Sequence, residues 1–169
     1  PMNMTTIRVR SADEMAQAVF QHMEAADIII KTAAVSDYRP QESQAHKIKK
    51  NRNELVLRLQ QNQDILKMLG QKKKHQILVG FAAETKELKK NATQKLVEKN
   101  LDIIVGNLVG ASDSGFEYDT NNVTLFFKDG TREPLPTMEK LEVAHILLDR
   151  IVTKMLNSAT VPQSTENEQ

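Results

Sequence analysis

The chain has 169 residues, 40% of them hydrophobic and 27% charged, which is typical of one soluble globular domain with its own core. No apolar run approaches the roughly 20 residues that a membrane-spanning helix needs, and the chain starts without a signal-peptide pattern, so we expect a cytoplasmic protein. The absence of cysteine excludes disulfides and thiolate zinc sites, and a formal net charge of +1 provides no overall field to attract nucleic acid.

The first half of the chain alternates between strand and helix patterns. A short strand is predicted at 6–10, and a capping box at 11–14 starts a helix that runs to about residue 24. The isoleucine run within 27–32 predicts a strand that is covered on both faces. Residues 38–52 are polar and predict a mobile loop, whereas alternating leucines predict a half-exposed strand at 54–59.

The second half continues this alternation. Asn62 is predicted to cap a short helix that Gly70 ends, and a buried strand follows at 76–82. A longer helix spans about 85–99, with Leu88, Ala92 and Leu96 as its buried stripe. Strands are predicted at 101–105 and 123–127, the second with a hairpin return at 129–130. Thr137 is predicted to cap the last helix, which is expected to bury one apolar stripe, formed by Leu141, Ala144, Leu148, Ile151, Val152 and Met155.

These elements predict an α/β fold of three layers, Rossmann-like, in which a mostly parallel sheet carries helices on both faces and is followed by a C-terminal hairpin-like extension. One domain is expected over residues 1–157, with a disordered polar tail at 158–169. The six glycines form neither a dinucleotide fingerprint nor a P-loop.

Two predicted strands end in the same way, with two alanines and then an acid. Ala33 and Ala34 precede Asp37, and the strand that contains Phe81 ends in a second alanine pair followed by Glu84. Open α/β sheets bind ligands at the carboxyl ends of their strands, so a small-molecule site is predicted there. Asp37 could bind a ribose hydroxyl or a metal-bound phosphate, or only cap a turn; Phe81 could stack on a base or sugar, or only fill the core.

Basic residues near these strand ends suggest an anionic ligand. Lys47 lies in a lysine-rich loop that could fold over an anion, and Lys95 and Lys99 are spaced to share one helical face. The helix start from Gln63 through Asp64 and Ile65 to Leu66 could offer amides to a polar group. For each of these features, a solvated or simply capped surface is the alternative.

Taken together, the motifs resemble those of the phosphopantothenate–cysteine ligase family, the synthetase domain of the bifunctional bacterial coenzyme A biosynthesis flavoprotein. The resemblance covers about residues 6–155 in collinear order. It rests on residues 33–38, 47–50, 61–65 and 79–85, and on Lys95 and Lys99 followed by 100–102, with 106–107, 115–116 and 119–122 continuing the match.

The resemblance implies an enzyme that joins 4′-phosphopantothenate to L-cysteine, using CTP and Mg²⁺ through an acyl-cytidylate intermediate. It also implies that Lys47 is catalytic, on a flexible flap near the phosphates. The residues it assigns to nucleotide binding are Ala33, Ala34, Asp37, Lys47, Gln63, Asp64, Ile65, Leu66, Phe81, Lys95 and Lys99; no metal ligand is assigned.

The chain departs from the family pattern in two respects. Gln63 stands where the family usually has proline. The chain also lacks the family's first strand with its glycine-rich turn, and the flavin-binding decarboxylase half that would hold FMN, so it resembles the C-terminal two-thirds of the ligase domain. The family dimerises through a region that here lies between Asn107 and Phe127, and an edge strand with Val123, Leu125 and Phe127 on one face is expected to pair with a second copy.

Two other functions remain open on the sequence. A dinucleotide-binding oxidoreductase could use a similar sheet, although its glycine fingerprint is missing. A non-catalytic, dimerising fragment of the ligase is the second alternative. Nucleic-acid binding rests only on lysine runs such as 72–74, which have no interleaved aromatic residues, and is not expected.

Overall fold

The computed structural model describes residues 3–42, 56–108 and 119–159. The helices are α1 (Ala12–His22), α2 (Ile65–Lys72), α3 (Leu88–Glu98) and α4 (Lys140–Ala159), with a 3₁₀ turn at Met23–Ala25. The strands are β1 (Ile28–Lys31), β2 (Tyr38–Pro40), β3 (Leu59–Gln61), β4 (Ile77–Glu84), β5 (Ile103–Leu108), β6 (Thr120–Asn121), β7 (Val123–Phe127), β8 (Arg132–Pro134) and β9 (Met138–Glu139).

The central sheet has the strand order β1-β4-β5-β7-β8. Strands β1, β4 and β5 run parallel, and β7 and β8 add an antiparallel hairpin at the far end. Helices α1, α2 and α3 pack on one face of the sheet and α4 packs on the other. The predicted three-layer, Rossmann-like α/β fold with a hairpin-like extension is therefore confirmed.

Strands β4 and β5 form the centre of the molecule because their apolar runs are buried on both faces. Leu78 and Ile104 pack toward α1–α3, whereas Val79, Ile103 and Val105 pack toward α4, and each of these five side chains is at most 1% exposed. Parallel strands between two helical layers require apolar residues at every position, and these segments have them.

Strand β1 is an edge strand within the described residues, where it pairs only with β4. The prediction that it is covered on both faces is confirmed in part, because Ile29 packs toward α1–α3 and Ile28 toward α4, whereas Ile30 is 40% exposed. Residues 6–10, predicted as a strand, do not form one. A strand is stable only with a neighbour, and no neighbour for 6–10 lies within the described residues.

The segments between β1 and α2 also differ from the prediction. Residues 38–40, predicted as part of a mobile loop, form β2, which pairs antiparallel with β3. The predicted strand at 54–59 is reduced, within the described residues, to β3, and Val56, Leu57 and Leu59 are exposed.

Helix α2 starts two residues later than predicted and extends beyond Gly70. Asp64, and not Asn62, accepts the N-cap hydrogen bond, from the Lys67 amide at 3.0 Å. Gly70 lies inside the helix, and a larger residue does not fit there because its Cβ would come within 1.8 Å of the Lys99 carbonyl oxygen. This close contact holds the C-terminal end of α3, and therefore Lys99, against α2.

Helix α4 starts at Lys140, later than predicted, and buries only part of the predicted stripe. Ile151 and Met155 pack toward the sheet as predicted, together with Val143 and Leu147, whereas Leu148 and Val152 are about half exposed. Apolar residues lie around much of the circumference of this helix, so their spacing in the sequence did not identify the face that packs on the sheet.

Strand β7 is not a free edge, so the predicted pairing of this strand with a second copy was wrong. It lies between β5 and β8, and Val123 and Leu125 are buried against α4. The lysine-rich loop with Lys47, residues 109–118 of the predicted dimer region and the tail from residue 160 lie outside the described residues. No helix in the described part of the chain is long and apolar enough to cross a bilayer.

Candidate active site at the carboxyl ends of the parallel strands

A small cleft lies where β1, β4 and β5 end. Its volume is about 180 Å³, and the residues that line it are Thr32, Ala33, Ala34, Phe81, Ala82, Ala83, Asn107, Asn121, Val123 and Lys140. The two alanine pairs that the sequence singled out therefore meet in one place. Their small side chains leave the space, and Phe81, which is 39% exposed, supplies the aromatic surface.

Asn107 is a cleft residue that the sequence did not single out as part of a site. Its Nδ2 donates to Asn121 Oδ1 at 3.2 Å, but its Oδ1 is buried and has no hydrogen-bond partner in the described structure. An unpaired buried acceptor costs about 1–3 kcal/mol, so its presence in a cleft needs an explanation. Asparagine is common in loops and caps, so its presence near a predicted strand end does not indicate a site. Only the folded arrangement reveals this acceptor.

Lys99 lies at the N-terminus of α2, beside Asp64. Its Nζ is 2.8 Å from Asp64 Oδ2, and the Lys99 side chain is 23% exposed. Burial opposes ionisation of Asp64, but the hydrogen bonds from Lys99 and from the Lys67 amide prevail and lower the pKa of this carboxyl. Lys99 and Asp64, which were predicted as parts of two separate features, therefore form one ion pair.

Lys31 adds a second ammonium group beside this pair, and sequence reasoning did not include it. Its Nζ donates to the Ala33 carbonyl oxygen at 2.9 Å. Burial and the nearby positive charge of Lys99 lower the pKa of Lys31, against the opposing effect of Asp64. Two cations therefore share one carboxylate, which leaves this end of β1 suited to an additional anion.

Lys95 is held by Glu84 at the end of β4. Its Nζ is 2.6 Å from Glu84 Oε1, and Asn91 Nδ2 donates to Glu84 Oε2 at 2.9 Å. Burial again opposes ionisation, but the two hydrogen bonds outweigh it and lower the pKa of Glu84. Lys95 and Lys99 therefore each contact a carboxylate at this edge of the sheet.

The predicted helix-start residues differ in what they expose. Ile65 and Leu66 are buried in the core, so only their backbone could face a ligand, whereas Gln63 and Asp64 are exposed. Asp37 is also exposed, and its carbonyl oxygen accepts from the Asn62 amide at 2.7 Å. This bond ties the loop after β1 to the approach to α2.

The predicted residues lie on both faces of the sheet, close to the edge where its parallel strands end. Phe81 and Ala83 alternate with Val79 and so face the α4 side, whereas Glu84 alternates with Leu78 and Ala82 and faces the side of α1–α3. A ligand with a flat ring and a charged chain could thus lie across the edge, with the ring in the cleft and the charges near the lysines.

In the described part of the chain, neither the acidic and histidine side chains nor the apolar groove beside β1 indicates a second reactive site. Within the described residues, no group of three or more His, Asp or Glu side chains could hold a metal ion. A larger groove of about 510 Å³ runs along the free side of β1, but its lining is mainly apolar, with Ile7, Val19, Ile28 and Ile30 among its residues. It offers few groups for chemistry.

Residues 1–155 match the family described as the DNA/pantothenate metabolism flavoprotein C-terminal domain. The coenzyme A biosynthesis bifunctional protein CoaBC of Bacillus subtilis strain 168 is 52% identical over 145 residues, which are 86% of this chain and 36% of that protein. A cysteine/cysteine sulfinic acid decarboxylase from an unknown prokaryotic organism is 40% identical over 152 residues, 89% of this chain and 42% of that protein.

The fold is also similar to a solved structure. The crystal structure of the C-terminal domain of CoaBC matches 93% of this chain and 69% of that domain, with 40% identity and a TM-score of 0.76. The chain spans about two fifths or less of the length of the two curated relatives. From the family match and these similarities, we conclude that the chain belongs to the DNA/pantothenate metabolism flavoprotein C-terminal domain family.

Proposed function

We propose that this chain carries the nucleotide site of a phosphopantothenate–cysteine ligase, which joins 4′-phosphopantothenate to L-cysteine at the expense of CTP through an acyl-cytidylate. The observation that carries this proposal is the set of strand ends itself. A cleft between two alanine pairs lies at the end of β4, where the next residue, Glu84, holds Lys95, in a chain similar to a protein named for coenzyme A biosynthesis.

The lysines would act as ligands for the triphosphate. Lys95 and Lys99 now contact Glu84 and Asp64, and phosphate oxygens could take over or share these contacts. Because the carboxylates hold both ammonium groups in place before the nucleotide arrives, less conformational entropy is lost on binding. Lys31 would add a third positive charge at the end of β1.

Mg²⁺ would accompany the triphosphate. Nucleotide-bound Mg²⁺ takes most of its ligands from phosphates and water and needs one or two carboxylates from the protein. Asp37, Asp64 and Glu84 are carboxylates at this edge that could supply such a ligand. The ion would neutralise phosphate charge.

The remaining assignments are extensions of the same proposal. The chain would be the C-terminal two-thirds of the ligase domain over residues 1–157, followed by a polar tail, in a cytoplasmic protein whose FMN belongs to a separate decarboxylase half. A homodimer would form through the region between Asn107 and Phe127, without β7 as a free edge. Lys47 would close over the phosphates as the catalytic lysine of a flap.

The test is CTP-dependent pyrophosphate release in the presence of 4′-phosphopantothenate by the natural polypeptide that contains this chain. We expect Lys47→Gln to slow this release more than it weakens CTP binding, because a flap lysine acts on the charge that develops during the reaction. Lys89→Gln, at an exposed position on α3, is the matched control and should change neither. Equal turnover of CTP and ATP would refute the cytidine preference, and unchanged release in the Lys47 variant would refute its role.

A further inference from the structure

The unpartnered oxygen of Asn107 is held in a fixed position. Asn107 pairs with Ala83 of β4 on one side and with Val123 of β7 on the other, so its backbone is fixed by two neighbouring strands. Its Nδ2 donates to Asn121 Oδ1 at 3.2 Å, in the arrangement of the two amides that leaves Asn107 Oδ1 unpaired. The buried Oδ1 has no hydrogen-bond partner in the described structure and belongs to a residue that lines the cleft.

The cleft around this acceptor suits a single flat ring. Ala33, Ala34 and Ala83 provide small walls, Phe81 offers a partly exposed aromatic ring, and the volume is about 180 Å³. Aromatic side chains beside apolar walls commonly bind nucleobases by stacking. A buried acceptor in such a place favours a ring that carries an N–H donor on its edge, because that donor removes the penalty of the unpaired oxygen.

We propose that Asn107 determines which nucleobase the site accepts, and that its Oδ1 accepts a hydrogen bond from the exocyclic amino group of cytosine. This inference rests on the proposed function, since it assumes that a nucleotide binds at this edge. Uracil differs from cytosine by a carbonyl oxygen at the same position, so two acceptors would face each other. A site built around a buried hydrogen-bonding group discriminates strongly against an analogue that cannot complete the bond.

The experiment is calorimetric titration of the 169-residue chain with CTP and, separately, with UTP, each with Mg²⁺. The unaltered chain should bind CTP about ten-fold or more tightly than UTP, as expected for one hydrogen bond that is made or lost. Asn107→Leu keeps similar bulk but removes the acceptor, and the ratio should fall to within about three-fold of unity. Asn107→Asp keeps the acceptor and should preserve the preference.

Two controls separate specificity from folding. Asn122→Leu alters an exposed neighbouring asparagine outside the cleft and should leave the ratio unchanged. If Asn107→Leu does not fold, as judged by its circular dichroism and unfolding midpoint, Asn107→Ala is used in its place with the same expected loss of preference.

Retention of the CTP preference in the folded Leu or Ala variant would overturn the role of Asn107 alone, as would equal binding of CTP and UTP by the unaltered chain. Binding of neither nucleotide by the unaltered chain would overturn the proposed nucleotide site together with this inference.

Discussion

At the scale of single residues, the site is organised by contacts between lysines and carboxylates at the sheet edge. Glu84 holds Lys95 of α3, and Asp64 holds Lys99, the C-cap residue that follows α3. Both carboxyl groups have a lowered pKa because hydrogen bonds outweigh their burial. These pairs fix where positive charge is available to a ligand, and they also contribute to stability in a pH-dependent way.

We predict that Glu84→Gln lowers the free energy of unfolding by about 1 kcal/mol at pH 7, since a charge-assisted hydrogen bond to Lys95 becomes a neutral one. A carboxyl with a lowered folded-state pKa stabilises the protein fully above the ordinary glutamate pKa of about 4.3 and loses this effect as the pH falls through the folded value. The difference between the two proteins should therefore disappear in acid, as measured by urea unfolding from pH 7 to pH 3.

Glu24→Gln is the matched control, because Glu24 is 88% exposed and lies 3.4 Å from Lys74. Its effect should stay below about 0.5 kcal/mol at every pH. A difference for Glu84→Gln that persists or grows in acid would show that the Glu84 pair is not the source of the stabilisation.

The sequence identified the lysines of this site but not their partners. The spacing of Lys95 and Lys99 predicts a shared helical face, which is a local property. Glu84, Asp64 and Lys31 come from other elements, so their approach depends on how α2 and α3 pack, including the contact at Gly70. The orphan oxygen of Asn107 depends on three strands at once and was therefore invisible in the sequence.

At the scale of elements, α4 shows how a helix with apolar residues on more than one face can mislead sequence interpretation. Leu147 is 4% exposed and packs in the core, whereas its neighbour Leu148 is 48% exposed. The predicted stripe included Leu148 and omitted Leu147. The packed face is set by the shape of the sheet and not by the pattern of the helix alone.

This correction predicts unequal effects of one substitution at adjacent positions. Leu147→Ala should lower the free energy of unfolding by about 2–4 kcal/mol, because it leaves a cavity against the sheet. Leu148→Ala should cost about 1 kcal/mol or less, since its side chain is only half buried. Both are measured by urea unfolding at pH 7, and an equal or reversed order would contradict the assigned face of α4.

The elements that the sequence predicted well are those in which the burial of side chains follows one simple pattern along the element. Strands β4 and β5 are apolar throughout because helices cover both faces, and α3 buries the predicted stripe of Leu88, Ala92 and Leu96. The failures, at residues 6–10 and at β2, concern segments whose structure depends on a distant partner or on the lack of one.

At the scale of the whole molecule, the sheet is open on the β1 side. Its outer edge is unpaired among the described residues, and the apolar groove of about 510 Å³ lies beside it. The cleft with Phe81 and Asn107 lies between the carboxyl ends of β1, β4 and β5. Of the ten described residues that line the cleft, four lie on the buried strands β4 and β5 and three directly follow β1, so the site joins the core of the sheet to its open edge.

The central claim is that these strand ends bind a cytidine nucleotide. It is tested most directly by calorimetric titration of Mg²⁺ and CTP into the 169-residue chain, with NADPH as the competing ligand class and Lys99→Gln as the variant. The account predicts binding of one CTP per chain, no binding of NADPH, and affinity reduced about ten-fold by the loss of one charge-assisted contact. Absence of CTP binding, binding of NADPH instead, or CTP affinity unchanged in the Lys99 variant would contradict it.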